Sequence, residues 1–217
     1  MCNIQYEIIG TGSTGNAVLV NRSILIDCGV PFKSIAPYVR QVKLVLLTHI
    51  HGDHFNPATI RRLAAERPTL RFAGGKWMVK PLADNGVALR NIDALDCGMM
   101  YDYGIGSIIP VGLNHNVPNC GYKLLFNAGK MFYATDTNDL NGISAKGYDL
   151  YMVEADYEDE EIHQRIKEKE ENGEYAYEYG VLHNHLSKEK CDAWIYANAG
   201  DTSEYIYMHQ HQDRTGA

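Results

Sequence analysis

The chain has 217 residues, a formal net charge of −7 and no apolar stretch of the length that a membrane-spanning helix needs. The length predicts one domain, residues 1–217, with a large core. The negative charge excludes a global cationic field that would draw the chain to nucleic acid or to an anionic membrane, although a polyanion could still bind at a local metal site.

The cysteines and the first residues bear on the cellular compartment. The cysteines are odd in number, widely spaced and without a CxxC pair, which argues against a disulfide framework and against a thiolate zinc site. The first residues lack a basic region followed by an apolar core. We therefore expect reduced, mostly buried thiols and a cytoplasmic location. The cysteines are Cys2, Cys28, Cys97, Cys120 and Cys191.

The first half of the chain predicts a β-meander followed by alternating helices and strands. Turn residues at Asn21 and Arg22 separate two of the predicted strands. One predicted helix begins at Pro57 and ends before Pro68, as proline favours at both positions. The predicted strands are residues 4–9, 17–20, 23–27 and 44–47, and the predicted helices are residues 31–41 and 57–67.

The β signal returns in the second half. Ser187 predicts the N-cap of a late helix that reaches residue 198. The tyrosine-rich residues 174–180 favour packing of an amphipathic segment over a base-stacking platform. The predicted strands are residues 107–113, 122–126, 131–134, 150–153 and 204–208, and a charged helix is predicted at residues 158–171.

Three imidazoles and a carboxylate lie within seven residues directly after the buried strand 44–47. The ligand candidates in this segment are His49, His51, Asp53 and His54. Imidazole and carboxylate without thiolate suit zinc first, with iron, manganese or nickel as alternatives. Chance clustering of surface histidines is disfavoured by this spacing. The segment therefore predicts a metal site that one loop cannot complete alone.

Further ligands are expected at other strand ends. His115 and Asp136 each follow a predicted strand. For the last ligand, His209 is preferred because it comes directly off the strand 204–208, and His211 is the fallback. His185 instead precedes a helix.

The pattern HxHxDH after a buried strand resembles the metallo-β-lactamase superfamily of hydrolases. The resemblance implies an α/β (α+β) fold, a four-layer αββα sandwich of two mixed sheets flanked by helices, with two divalent metal ions at one sheet edge. The metals are expected to be zinc, with manganese or iron as alternatives. The implied ligands are His49, His51 and His115 for one metal, Asp53, His54 and His209 for the other, and Asp136 as the bridge.

The related phosphodiesterase branch, which includes ribonuclease Z, has a histidine followed by Ser/Thr-type residues shortly before the final ligand. His185-Leu186-Ser187 is similar, which implies catalysis or phosphate binding by His185 and substrate binding by Ser187. Asp53 is expected to orient the attacking water as well as to bind metal. Asp27 is expected either to hold a ligand tautomer from behind or to be a buried turn residue.

Nearly the whole chain also resembles the small YycJ/WalJ-type metallo-hydrolases. The matches are the loop at residues 10–16, which ends in Gly15-Asn16, the segments 25–29 and 120–122 with 134–137, and the segment 153–155 followed by His185-Leu186-Ser187. This resemblance implies exonuclease-like hydrolysis of DNA and a substrate-side role for Asn16. Asn116, Lys188 and the ending His209-Gln210-His211 depart from the pattern.

Two other classes of function stay open. One is hydrolysis of a small molecule, such as a cyclic nucleotide, thioester or lactone, and the other is a non-catalytic metalloprotein. A long DNA would need a basic path, although a solvated helix face is the favoured interpretation of the available residues. Those residues are Arg61, Arg62, Arg67, Arg71, Lys76 and Lys80. The oligomeric state is left open.

Overall fold

The computed structural model describes residues 3–210, which contain two sheets of six strands each. The strands of the first sheet, in their order across it, are β1 (Tyr6–Gly10), β2 (Ala17–Val20), β3 (Ile24–Ile26), β4 (Leu44–Leu47), β5 (Arg71–Gly75) and β6 (Ile92–Leu95). The strands of the second, numbered along the chain, are β7 (Tyr101–Asp102), β8 (Ser107–Leu113), β9 (Asn119–Phe126), β10 (Gly129–Ala134), β11 (Leu150–Glu154) and β12 (Glu204–Met208). Both sheets mix parallel and antiparallel pairs.

Helices cover the outer face of each sheet. Three pack on the first sheet, one packs on the second, and two others pack against each other beside the second sheet. The helices on the first sheet are α1 (Phe32–Ile35), α2 (Pro57–Glu66) and α3 (Val79–Asp84). The helix on the second sheet is α6 (Lys188–Asn198), and the pair beside it is α4 (Asp159–Glu171) and α5 (Glu178–Asn184). The layers follow the order αββα, which confirms the predicted four-layer sandwich.

Strand β4 shows why the centre of the fold is readable from the sequence. Leu44 and Leu46 point into the core between the sheets, whereas Val45 and Leu47 point into the core under the helices. A strand buried on both faces must be apolar at every position. The run of four apolar residues therefore marks a central strand, and it ends where the polar loop begins.

The topology brings many strand ends to one edge of each sheet. Strands β3, β4 and β5 are parallel, and so are β10, β11 and β12. Strand β8 also runs parallel to β10, because each is antiparallel to β9. The carboxyl ends of these strands carry the polar residues of the candidate site.

Two predictions about local structure were wrong. The helix predicted at residues 31–41 is α1 alone, followed by turns, because Pro37 lacks the N–H that a continuing helix would use at that position. The tyrosine-rich segment does not bury its rings: Tyr175, Tyr177 and Tyr179 are 87%, 49% and 47% exposed. Short side-chain contacts with α4 hold two of these rings at the surface.

The cysteines of the described region are free thiols, as predicted. Cys28, Cys120 and Cys191 are buried, and Cys97 is exposed. Between residues 3 and 210, no helix combines the length and the apolar character that crossing a bilayer requires.

Candidate metal centre

The loop after β4 is fixed by main-chain contacts with two neighbouring loops. The N–H of Asn16 donates to the carbonyl oxygen of Asp53 at 2.6 Å, and the N–H of Cys28 donates to that of His54 at 2.9 Å. Gly29 lies directly under this loop, where a Cβ atom would be 1.7 Å from the Asp53 carbonyl oxygen. Only glycine allows the loops to approach this closely.

A first cluster consists of three histidines. The Nδ1 atom of His51 lies 3.1 Å from Nε2 of His49 and 3.2 Å from Nε2 of His115. The other ring nitrogens of His49 and His115 have partners of their own: Nδ1 of His49 lies 3.0 Å from the Thr48 hydroxyl, and Nδ1 of His115 donates to the Asn184 carbonyl. Such contacts set the tautomers and leave three nitrogens that can bind one cation.

A second cluster lies beside the first. It contains Asp53, His54, Asp136 and His209, whose ligand atoms all lie within 4.8 Å of one another. Nε2 of His209 is 3.3 Å from Oδ2 of Asp53, and Nε2 of His54 is 2.8 Å from Oδ2 of Asp136. The other carboxylate oxygen of Asp136, Oδ1, lies 3.6 Å from Nε2 of His209 in the same cluster and 3.9 Å from Nε2 of His115 in the first cluster. Asp136 is therefore placed to serve both clusters.

The chemistry of these donors fits divalent cations. Oδ2 of Asp136 is buried and lies 2.8 Å from Nε2 of His54. A buried carboxylate is costly unless positive charge compensates it, and either a protonated His54 or a cation can supply that charge. Imidazole and carboxylate are ligands for zinc, manganese and iron. The arrangement is compatible with a dinuclear site.

Asp27 lies behind the second cluster. Its Oδ2 atom is 2.7 Å from Nδ1 of His54, and its Oδ1 atom accepts from the N–H of Thr48 at 2.9 Å. Asp27 and His54 are fully buried. A carboxylate on Nδ1 directs the Nε2 lone pair of His54 toward the cluster, as expected of a residue that holds a ligand tautomer.

Three residues of the site have left-handed backbone conformations. The φ angles are 61° at Asp27, 57° at Asp136 and 52° at His209. Asp27 and His209 directly follow a strand, and Asp136 lies two residues after the end of β10. Such angles are uncommon outside glycine and persist only where the surroundings enforce them. The strand ends therefore hold strained backbone at the point where the ligands converge.

The structure adds a residue that the sequence analysis did not select. Glu154, the last residue of β11, is fully buried, and its Oε1 atom lies 2.6 Å from Nδ1 of His185. His185 in turn stacks on His209 with ring centroids 5.1 Å apart. An acidic residue that ends an apolar buried strand was the available signal for Glu154.

Two predicted substrate-side residues lie away from solvent. Ser187 is fully buried, and its hydroxyl caps α6 by accepting from the N–H of Lys190 at 3.3 Å. Asn16 is also fully buried, and its Nδ2 atom lies 2.9 Å from Nε2 of His54. This burial does not favour direct contact with a substrate. His211, the fallback ligand, lies outside the described residues.

Burial and neighbouring charges shift the pKa values of the site histidines in opposite directions. Burial, helped by the neighbouring His54, lowers the pKa of His49 to about 2. Burial also lowers the pKa of His54, but the carboxylates of Asp136 and Asp27 outweigh it and raise the pKa to about 10. A cation at the second cluster therefore has to displace a proton from His54.

Neighbouring charges also outweigh burial in setting the pKa values of Asp136 and His209. Burial opposes ionisation of Asp136, but the imidazole of His54 outweighs it and holds the pKa well below its usual range. For His209, burial is outweighed by the carboxylates of Asp156 and Asp53, which raise the pKa. Ionised carboxylates and protonated imidazoles balance each other where cations would bind.

Comparison with known proteins identifies the family. Residues 22–209 match the family model described as "Beta-lactamase superfamily domain", and the chain belongs to this superfamily. It is 30% identical over 118 residues to the Anti-Pycsar protein Apyc1 of Paenibacillus sp. (strain J14). That match covers 48% of the chain and 46% of the relative, about half of each.

Solved structures confirm the fold. The metallo-β-lactamase-fold protein YhfI from Bacillus subtilis superposes with a TM-score of 0.74 at 17% identity, covering 95% of this chain and 86% of its own. The short form of human tRNase Z superposes with a TM-score of 0.68 at 15% identity, covering 95% of this chain and 92% of its own. A diphosphatase of the PhnP family superposes with a TM-score of 0.67 at 14% identity, covering 95% of this chain and 86% of its own. The protein has the metallo-β-lactamase fold with a candidate dinuclear metal site.

Proposed function

We propose that the protein is a dinuclear metal-dependent phosphodiesterase that acts on a small nucleotide-type substrate. The observation that carries the proposal is the His185–Glu154 pair, which stands beside two ligand clusters that share Asp136. A hydrolase of this fold needs only the clusters. A protonatable histidine next to them suits the oxyanions and the leaving group of a phosphodiester.

The bound cations would supply a water of lowered pKa and a positive clamp for the phosphate oxygens. One cation would be held by His49, His51 and His115, and the other would be held by Asp53, His54 and His209. Asp136 would contribute to both. Asp53 has a second role, because 21% of its side chain is exposed, against 3% for Asp136. It is the carboxylate of its cluster that can accept a hydrogen bond from the attacking water.

His185 is oriented for proton donation. Its Nδ1 atom is engaged by Glu154, which leaves Nε2 available, and its side chain is 20% exposed. Burial lowers the pKa of His185, but the carboxylates of Glu154 and Asp136 outweigh it and raise the pKa. A protonated His185 would donate to a phosphate oxygen or to the leaving oxygen.

The surface charges support a small substrate. Four of the six basic residues after the metal loop are paired with carboxylates, and the other two donate to neutral oxygens, so most of the charge that a polyanion would need is compensated. The ion pairs are Arg62–Glu66, Arg71–Asp93, Lys76–Asp96 and Lys80–Asp84, while Arg61 donates to Asn85 and Arg67 to the Val39 carbonyl.

The other side of the site is acidic. A cavity of about 200 Å³ lies between α4, α5 and the ends of β11 and β12, and Asp156 and Gln210 form part of its wall. Oδ1 of Asp156 is 3.5 Å from Nδ1 of His209. Carboxylates outnumber basic groups in the lining, which also contains Glu158, Glu161, Glu178, Arg165 and Lys188. This surface would repel a long phosphate backbone.

Exonuclease-like hydrolysis of DNA is the second candidate. It is favoured by the resemblance of the loop 10–16 and of the segment at His185-Leu186-Ser187 to the YycJ/WalJ-type hydrolases. The fold shared with human tRNase Z is compatible with a nucleic acid substrate.

A panel assay with the zinc- or manganese-loaded protein separates the candidates. The substrates are bis(p-nitrophenyl) phosphate, cyclic nucleotides, double- and single-stranded DNA, RNA and a thioester, and Asp136→Asn is the inactive control. We expect hydrolysis of the first two classes with little dependence on salt. Release of nucleotides from DNA with a steep salt dependence would favour the exonuclease. Hydrolysis of the thioester alone would oppose both.

A further inference from the structure

The bridging position of Asp136 depends on an unfavourable backbone conformation. With φ at 57°, Asp136 adopts left-handed geometry two residues after the end of β10. This geometry places Oδ2 2.8 Å from Nε2 of His54, and it places Oδ1 3.6 Å from Nε2 of His209 and 3.9 Å from Nε2 of His115. An ordinary extended or helical conformation would aim the side chain elsewhere. The surrounding residues must therefore hold this turn.

Asn119, at the start of β9, contacts the turn from one side. Its Nδ2 atom donates to the carbonyl oxygens of Thr135 at 3.0 Å and Asp136 at 2.7 Å. The residue is only 3% exposed. One amide group thus uses its two hydrogens on two consecutive carbonyls, which fixes the peptide planes on both sides of the Asp136 Cα atom.

The orientation of this amide follows from its surroundings. The flipped amide would place Oδ1 against two carbonyl oxygens at hydrogen-bond distance, which is repulsive. In the observed orientation, Oδ1 has no hydrogen-bond partner among the described residues, although it is buried. Burial of this unpaired oxygen is unfavourable, so Asn119 contributes to the site through its two N–H donors.

The opposite side of the turn is held by other parts of the site. The N–H of Thr137 donates to Oε2 of Glu154 at 2.8 Å, and the Thr137 hydroxyl accepts from the N–H of Asn114 at 3.2 Å. Asn114 precedes His115, and Glu154 binds His185. The turn thus connects both clusters with the His185 pair, and Asn119 completes its support.

We propose that Asn119 is a positioning residue that holds Asp136 in the conformation required to serve both metal clusters. The inference rests on the proposed dinuclear centre. Without the two N–H donors, the turn relaxes and the carboxylate leaves the second cluster, while His49, His51 and His115 keep their geometry. Loss of Asn119 therefore weakens the second cation site more than the first, because the first keeps three histidine nitrogens when the shared carboxylate moves.

The test compares variants that keep the side-chain size with a matched control. Asn119→Leu and Asn119→Asp both remove the donors, and Asn119→Ala also removes the volume. The control is Asn198→Leu, because Asn198 is 7% exposed and its Nδ2 atom donates to the Trp194 carbonyl in α6, in the core on the outer face of the second sheet. Cobalt(II) titration followed by visible absorption gives the number and the affinity of the sites, and thermal unfolding reports on folding.

We expect wild-type protein and Asn198→Leu to bind two equivalents of cobalt. The Asn119 variants should bind the second equivalent about 10–100-fold more weakly, the range found when an outer partner of a ligand is removed. Two sites of wild-type affinity in a folded Asn119→Leu or Asn119→Asp protein would overturn the proposal. If wild-type protein itself binds fewer than two equivalents, the dinuclear centre fails, which is a distinguishable result.

Discussion

The Nδ1 atom of His54 lies 2.7 Å from Oδ2 of Asp27, and neither side chain has exposed surface. This contact decides which nitrogen of His54 faces the second cluster. Because the same carboxylate also accepts from the N–H and the hydroxyl of Thr48, it holds the first residues of the metal loop as well. One buried aspartate thus orients a ligand and anchors the loop that carries it.

Replacement of Asp27 should weaken metal binding without removing a ligand. In Asp27→Asn the oxygen can still accept from His54, so we expect a modest loss of affinity, whereas Asp27→Ala should reduce the affinity of the second cluster about 10–100-fold. Isothermal titration with zinc measures the difference. Equal affinities in wild-type protein and Asp27→Ala would mean that Asp27 is only a buried turn residue.

His185→Ala should retain both cations but lower kcat. Removal of a general acid typically reduces the rate about 10²–10⁴-fold. Glu154→Gln should cause a smaller loss, because the amide can accept from Nδ1 of His185 but does not favour the imidazolium. His183→Ala is the matched control, since His183 is exposed near the end of α5, which His185 directly follows. Metal analysis and turnover of bis(p-nitrophenyl) phosphate give both quantities, and loss of metal in His185→Ala would make His185 a ligand instead.

Gly29→Ala should disturb the metal loop from below. Its Cβ would lie 1.7 Å from the Asp53 carbonyl oxygen, so the loop must shift and both clusters should lose affinity. Gly52→Ala, within the same loop, meets nothing within 4 Å and should behave like wild-type protein. Metal content after gel filtration compares the two variants, and equal content would contradict the packing argument.

Chelation of the cations should destabilise the folded chain. The clusters bring the carboxylates of Asp53 and Asp136 and the imidazoles of His54 and His209 within 4.8 Å of one another. At a cation concentration 1,000 times Kd, binding stabilises a fold by about 4 kcal/mol. For a chain of this size, that corresponds to roughly 8–16 °C in Tm. Calorimetry with and without EDTA measures the shift, and an unchanged Tm would oppose a resident metal.

Local patterns predicted much of the fold. Strands β2, β4, β8 and β12 and helix α6 have the predicted bounds, because apolar runs and caps are encoded by neighbouring residues. The prediction of a long helix through Pro37 was wrong, and so was the prediction that the tyrosines near α5 are packed. Residue propensity does not show which face of a segment contacts the rest of the fold. The family resemblance supplied the architecture that periodicity alone could not.

The sequence by itself determined the candidate ligands and their positions after strands, because HxHxDH is a contiguous pattern and His115, Asp136 and His209 each follow a strand. Only the tertiary structure decided which side chains complete the site. Glu154 and Asn119 act across strands, and their partners His185 and Asp136 are distant along the chain or reached through backbone carbonyls. Such contacts arise from strand pairing and from left-handed turns, which a local pattern does not encode.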